Sequence, residues 1–144
     1  MKILDVGCGN NKIKGAIGID ISSNTKADII HDLNKFPWPC NNNEFDEVIC
    51  NDILEHLDNI ISVMEEIHRI TKPDGIVRIR VPHFSNNNAY GDITHKHFFN
   101  TQSFNCFIGE NPFYKHYSKV RFKKISVKIT FGKLYRFVGL FANK

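Results

Sequence analysis

The sequence contains no C-x-x-C pair; its four cysteines, Cys8, Cys40, Cys50 and Cys106, lie scattered along 144 residues. That scatter argues against a zinc ribbon or a dithiol redox motif and reads as four reduced thiols. No apolar run approaches the ~18 residues of a membrane span, and the first residues pattern as a strand rather than a signal peptide. A cytoplasmic protein without a membrane segment is expected. The phosphate-loop pattern G-x-x-x-x-G-K-[ST] is missing, and Lys12 stands where a dinucleotide fingerprint needs its third glycine. Pyrophosphate binding is therefore disfavoured. Acid is absent from the C-terminal part: residues 111–144 hold nine Lys/Arg and no Asp/Glu, against ten and fifteen in residues 1–110. Such a block attracts nucleic acid, anionic lipid or an acidic substrate. Lys119, Arg121, Lys123 and Lys124 nevertheless interleave with Val120, Phe122, Ile125 and Val127, a pattern that also reads as the solvated face of a strand.

What is present begins at the N-terminus. An apolar run (Ile3, Leu4, Val6) leads into Gly7-Cys8-Gly9, and a second run (Ala16, Ile17, Ile19) stops at Asp20. The pattern predicts a buried strand, a glycine turn, and a second strand with a carboxylate at its tip. Glycines admit a ligand where a Cβ would collide, and a carboxylate so placed accepts both hydroxyls of a ribose. Nucleoside binding is the reading. Hydrophobic content of 42% and charged content of 24% suit one domain over residues 1–144 with a single core.

Downstream, 27–31 reads as a third strand ending at Asp32, and Phe36-Pro37-Trp38-Pro39 as a rigid apolar loop. A fourth strand over 45–50 runs into Asn51-Asp52-Ile53-Leu54-Glu55-His56-Leu57. Ile60, Val63, Met64, Ile67 and Ile70 follow the helical period, predicting a helix over 59–71 capped by Asp58, with Glu65 and Glu66 solvated. Lys72-Pro73-Asp74-Gly75 is a turn before a fifth strand over 76–81. Strand–helix alternation calls for a parallel sheet, although only Asn10 to Gly15 separate the glycines from the second strand, room for one helical turn. Residues 82–92 lack periodicity. Thr101 to Phe104 can begin a short helix with Phe98, Phe99, Phe104 and Phe107 beneath it, and 114–130 reads as a long strand. Leu134 to Ala142 either completes the sheet or leaves an apolar edge that favours a homodimer.

In order over roughly residues 1–100, LDVGCG with GIDIS, ADIIHDLNKFPWP, FDEVICNDILEHLDN and ITKPDGIVRIRVPHF resemble the motif series of class I S-adenosylmethionine-dependent methyltransferases. They are most similar to the small methyltransferase-domain proteins often found with cell-surface glycan genes, as is GDITHKHFFNTQSF. The resemblance implies a Rossmann-like, doubly wound, mostly parallel sheet with a shortened first helix, and S-adenosylmethionine as cofactor. It assigns Asp5, Gly7, Cys8, Gly9 and Asn10 to the methionine-side cradle, Asp20 to the ribose, and Asp32 and Leu33 to the adenine, with Ile21 also among the cofactor-binding residues. Asn51, Asp52 and His56 would lie beside the cofactor. The implied acceptor is a hydroxyl of a saccharide or other small molecule. The chain departs from the family where K-P-D-G replaces K-P-G-G, and where it stops short of the usual last helix and antiparallel strand.

His83, His95 and His97, with Asp92 and Tyr90, form the densest cluster of titratable groups. Three readings fit: an imidazole as general base toward a hydroxyl, histidines locking a loop, or an H-x-H metal site. The three histidines are assigned to the acceptor side as catalytic candidates, and no metal is expected. Two rivals remain: a non-catalytic cofactor-binding partner subunit, and an enzyme acting on nucleic acid through the basic segment.

Overall fold

The computed structural model describes residues 1–109, 112–114 and 116–130. Five strands, β1 (Ile3–Val6), β2 (Ile17–Asp20), β3 (Ile29–Ile30), β4 (Phe45–Asn51) and β5 (Thr71–Arg80), form one sheet in the order β3-β2-β1-β4-β5. Every pairing is parallel. The chain runs outward from β1 through β2 to β3, then returns to the far side of β1 for β4 and β5. The order therefore reverses between β1 and β4, where the carboxyl ends of parallel strands open a ligand crevice. This is the expected Rossmann-like doubly wound topology.

Register assigns the two faces. Leu4 pairs Ile17 and Val48, and Val6 pairs Ile19 and Cys50, so these side chains share one face with Val77 and Ile79. Helix α1 (Ile60–Ile70) lays Val63, Met64, Ile67 and Ile70 on that face, each 3% exposed or less. The period-3.6 stripe meets the period-2 face, and the two bury one continuous core. The opposite face carries Ile3, Asp5, Gly18 and Ile49, and beside β2 it is covered by Cys8 and Lys12: a Cβ on Gly18 would lie 2.6 Å from both side chains. The first crossover is a single 3-10 turn, Gly9–Asn11, as the short spacing requires.

Several expectations are corrected. The helix cap is Asn59, whose Oδ1 accepts the Ser62 N–H at 3.1 Å, while Asp58 pairs with Lys96 at 2.5 Å. Glu66 is buried rather than solvated: its Oε1 accepts the Trp38 N–H at 2.6 Å and both oxygens face Arg69. Helix periodicity alone had assigned it to the polar side; the loop carrying Trp38 folds over that side. The third strand shrinks to two residues, and β5 absorbs 72–75 as an irregularity between the Phe45–Thr71 and Glu47–Ile76 pairs. Residues 82–92 hold a short helix, α2 (Asn87–Gly91), and 101–104 form turns before a 3-10 turn at Asn105–Phe107. Phe99 and Phe107 are buried, but Phe98 is half exposed and stacks on Tyr90. The described part of 114–130 forms no strand, only an isolated Ile108–Phe122 bridge, because no neighbour among the described residues offers it a ladder. Ile125 and Val127 are exposed accordingly. Leu134 to Ala142 lies outside the described residues. The Phe36–Pro37 peptide is cis. Among the described residues no helix is long and apolar enough to cross a membrane, and all four cysteines are free.

Candidate cofactor and acceptor site

The two turn glycines differ in what they avoid. Both have positive φ, +66° at Gly7 and +50° at Gly9, a region costly for side chains bearing a Cβ. A Cβ on Gly7 would stand 2.4 Å from Ile53 Cγ1, so this glycine is demanded by the loop after β4. A Cβ on Gly9 would meet nothing within 4 Å; the space beside it is open. The Asp20 carboxylate faces the same bend. Its Oδ2 accepts the Gly9 N–H at 2.9 Å and its Oδ1 the Ser22 N–H at 3.0 Å, and each oxygen keeps acceptor capacity for a further donor.

The remaining cradle residues are held from beneath. Asp5 is buried, and its Oδ2 accepts the Ile13 N–H at 2.8 Å; burial pushes its pKa up. Lys12, at the missing third glycine, reaches both Asp28 oxygens at 2.8 Å, while Asp28 Oδ2 accepts the Gly18 N–H at 2.7 Å. That pair closes the turn, and nothing in the spacing announced it. Cys8 is buried beside Gly18; burial first, then the Asp20 and Asp5 charges, hold it as a thiol. Asn10 is exposed, and Ile21 is 66% exposed, an apolar side chain left at the rim beside Asp20.

At the end of β3, Asp32 Oδ1 accepts the Asn34 N–H at 3.0 Å, a loop-capping bond, and Leu33 is buried with its carbonyl accepting Trp38 Nε1–H at 3.1 Å. Asn51 ends β4 beside Arg80 of β5. Asp52 takes φ +51° and pairs with the Arg80 guanidinium. Hollows of about 370 and 550 Å³ lie elsewhere, one at Asn43, Asp46 and Lys72, the other between Glu65 and His116.

The histidines separate by bonding. His97 reaches the Leu57 carbonyl through Nε2 at 2.9 Å, so its Nε2–H is spent tying the loop to the β4 rim. His83 Nδ1 lies 2.8 Å from Ser85 Oγ. His95 Nδ1 lies 2.9 Å from the Ala89 carbonyl and must donate there, which leaves Nε2 as a lone pair in the neutral ring. His56, expected near the cofactor, stacks edge-on to His95 with ring centroids 4.7 Å apart, and its Nδ1 lies 2.9 Å from Thr94 Oγ1. Thr94 donates its hydroxyl hydrogen to Asp92 at 2.6 Å, so it accepts from His56 and frees that Nε2 as well. Glu55, which the sequence reading passed over, is buried next to them. A carboxylate set between Leu54 and Leu57 was the one available signal.

A family model described as "Methyltransferase domain" matches residues 1–112. The chain belongs to the class I S-adenosylmethionine-dependent methyltransferases. A curated relative, the ubiquinone biosynthesis O-methyltransferase of Haemophilus ducreyi, is 30% identical over 101 residues, covering 53% of this chain and 43% of that protein. The methyltransferase chain thus spans under half the length of that relative. The crystal structure of a SAM-dependent methyltransferase from Archaeoglobus fulgidus superposes with a TM-score of 0.64 at 20% identity, over 99% of this chain and 76% of that one. At that identity the likeness speaks to fold, and it is the five-stranded order described above. The residues present fit the family's cofactor: the Gly9 side is open, Asp20 is turned to it with acceptor capacity remaining, and Ile21 offers an apolar surface.

Proposed function

We propose that this domain transfers the methyl group of S-adenosylmethionine to a hydroxyl of a small molecule or saccharide. The observation that carries the reading is Asp20, fixed by the Gly9 N–H so that its carboxylate faces open space at the strand-order reversal. When bound, the cofactor supplies an activated methyl on a positive sulfur. The chain's task is then positional. Asp20 accepts the ribose diol, Ile21 packs on the base with Asp32 and Leu33 at its edge, and Asp5, Gly7, Cys8, Gly9 and Asn10 line the methionine end. Asn51 and Asp52 form the floor. A nucleophile must come to about 3 Å from the methyl, in line with the leaving sulfur.

On the acceptor side, His97 serves as a loop tie and His83 as a hydrogen-bonding neighbour, while the Nε2 lone pairs of His56 and His95 are the groups free to take a proton. Asp92 Oδ2 lies 4.0 Å from His95 Nε2. Tyr90 and Phe98 stack at 4.5 Å and stand 61% and 50% exposed, with Phe84 and Ile93 exposed nearby in sequence. Such a ring platform suits the apolar face of a sugar or a planar acceptor.

Calorimetric titration with S-adenosylmethionine and S-adenosylhomocysteine tests the cofactor side. The wild-type chain binds both, and Asp20→Ala loses at least about tenfold in affinity, or about 1.4 kcal/mol. A folded wild-type chain that ignores both compounds at millimolar concentration ends the proposal. On the acceptor side, His95→Gln lowers turnover about 10²–10⁴-fold on a sugar-hydroxyl panel while donor affinity stays put.

A further inference from the structure

Glu55 is 1% exposed, and neither side-chain oxygen has a hydrogen-bond partner among the described residues. Buried polar groups are almost always paired, and an unpaired buried carboxylate is strongly unfavourable as an anion. Two imidazoles stand against this carboxylate, and both have Nδ1 committed elsewhere: His95 to the Ala89 carbonyl, His56 to Thr94 and through it to Asp92. Among the described residues no hydrogen bond engages either Nε2, although Asp92 Oδ2 lies 4.0 Å from that of His95. With the carboxylate ionised and both rings neutral, the three groups are acceptors with no donor between them, an arrangement that a cation resolves.

We propose that Glu55, His56 and His95 hold a divalent transition-metal ion of the zinc type. One donor atom from each residue lies within 4.8 Å of the others, while ligands about 2.1 Å from a tetrahedral ion stand about 3.4 Å apart, a gap that side-chain rotation closes. Two nitrogens and one carboxylate oxygen match zinc, cobalt or iron(II) rather than calcium or magnesium, which take oxygen donors. Outer hydrogen bonds that fix the imidazole tautomer and aim the second nitrogen at a metal are the support such ligands usually carry, and here the Ala89 carbonyl and the Thr94–Asp92 pair supply it. The backbone is preorganised as well: the Lys96 and His97 N–H groups lie 2.7 and 3.3 Å from the Glu55 carbonyl, and Lys96 pairs with Asp58. These contacts clamp the 55–58 and 96–97 segments into one site. The expectation of no metal weighed the H-x-H pair with a nearby carboxylate, but His97 faces Leu57, and of that pair only His95 joins Glu55 and His56.

Three protein donors leave a coordination position for a water or for an acceptor oxygen, and zinc brings a bound water to a pKa near 7. The binding of the ion does not depend on the methyltransferase reading; its use on an acceptor hydroxyl does, and in that case the hydroxyl proton passes to solvent rather than to a free imidazole.

The test uses the full chain without an affinity tag, stripped with a chelator, and titrated with Co²⁺ by visible absorption and with Zn²⁺ by calorimetry. The expected result is one equivalent bound with the intense visible bands of a four- or five-coordinate cobalt site. Glu55→Gln and His95→Gln each lower affinity at least a hundredfold. Thr94→Val, which removes only the outer bond, lowers it about tenfold; His116→Gln, an exposed histidine elsewhere, leaves it unchanged. S-adenosylhomocysteine titration and far-ultraviolet circular dichroism of the same variants separate loss of the ion from loss of the fold. Absence of stoichiometric Co²⁺ and Zn²⁺ binding at about 0.1 mM, or binding that survives Glu55→Gln and His95→Gln, overturns the proposal while leaving donor binding as it stands. Ion binding without donor binding supports it and sinks the reading under Proposed function.

Discussion

Gly7→Ala and Gly9→Ala are nearly the same chemical change two residues apart, and the geometry assigns them opposite consequences. At either position an alanine is held at positive φ, which costs about 1–2 kcal/mol. At Gly9 the new methyl meets nothing within 4 Å, so that strain is the whole penalty. At Gly7 it meets Ile53 Cγ1 at 2.4 Å, Cδ1 at 2.6 Å and Cβ at 2.9 Å. Overpacking of this kind adds about 1–3 kcal/mol, for a total of about 2–5 kcal/mol, a large part of the ~5–15 kcal/mol that holds a domain folded. Function should divide the other way. The Gly9 methyl occupies the space open to the cofactor and lowers donor affinity at least about tenfold in a chain that remains folded. Urea unfolding followed by the single tryptophan, Trp38, which is 2% exposed, reads stability, and calorimetry reads donor affinity. Ile53→Ala in the Gly7→Ala background should recover about 1–3 kcal/mol relative to additivity. Equal urea midpoints for the two glycine variants would refute the steric argument, and wild-type donor affinity in Gly9→Ala would refute the use of that open space.

Other expectations follow from buried charges and thiols. Glu66→Ala strands the Trp38 N–H and takes two hydrogen bonds from Arg69, leaving those to Cys40, Asn42 and Trp38, so it should cost about 3–5 kcal/mol, whereas Glu65→Ala, which removes one bond from the Ser118 hydroxyl, should cost about 1 kcal/mol by the same urea assay. Burial, with the Glu44 charge next, pushes the Cys40 thiol up to about 11; at pH 8 only about one molecule in a thousand carries the thiolate. Iodoacetamide should therefore label Cys40, and the fully buried Cys50, far more slowly than a model thiol, and unfolding in urea should restore the rate; fast labelling of the native chain would contradict that. For Asp5 the folded-state pKa is raised, so the unfavourable contribution is full above that pKa and disappears once pH falls below the unfolded value of 3.8. Asp5→Asn, which still accepts the Ile13 N–H, should raise the urea midpoint at pH 7 and lose its advantage as pH approaches 3. An advantage that grows with acid would show the sign to be wrong.

Much of this molecule was legible from local pattern. The Ile3–Val6 run, the two glycines and the carboxylate at position 20 specify strand, turn and strand tip because each depends on residues a few positions apart. The α1 stripe needed only its own period, and the one-turn first crossover only its length. Family resemblance added the order of motifs and the cofactor. It did not say that Asp32 would spend one oxygen on Asn34, or that His97 would serve as a tether.

Where local pattern misled, partners distant in sequence were the cause. Alternation in 119–129 describes a strand only if another strand lies alongside, and none does among the described residues. A glutamate on the polar side of a helix is solvated unless a loop covers it, as the Trp38 loop covers Glu66. The sequence by itself determined the strand, glycine turn and strand that end at Asp20, since these sit within twenty residues and obey backbone geometry. Only the tertiary structure decided why Gly7 and Gly9 differ, and only it brought Glu55 and His56 to His95, because such meetings depend on how separate loops pack at one rim rather than on any spacing along the chain.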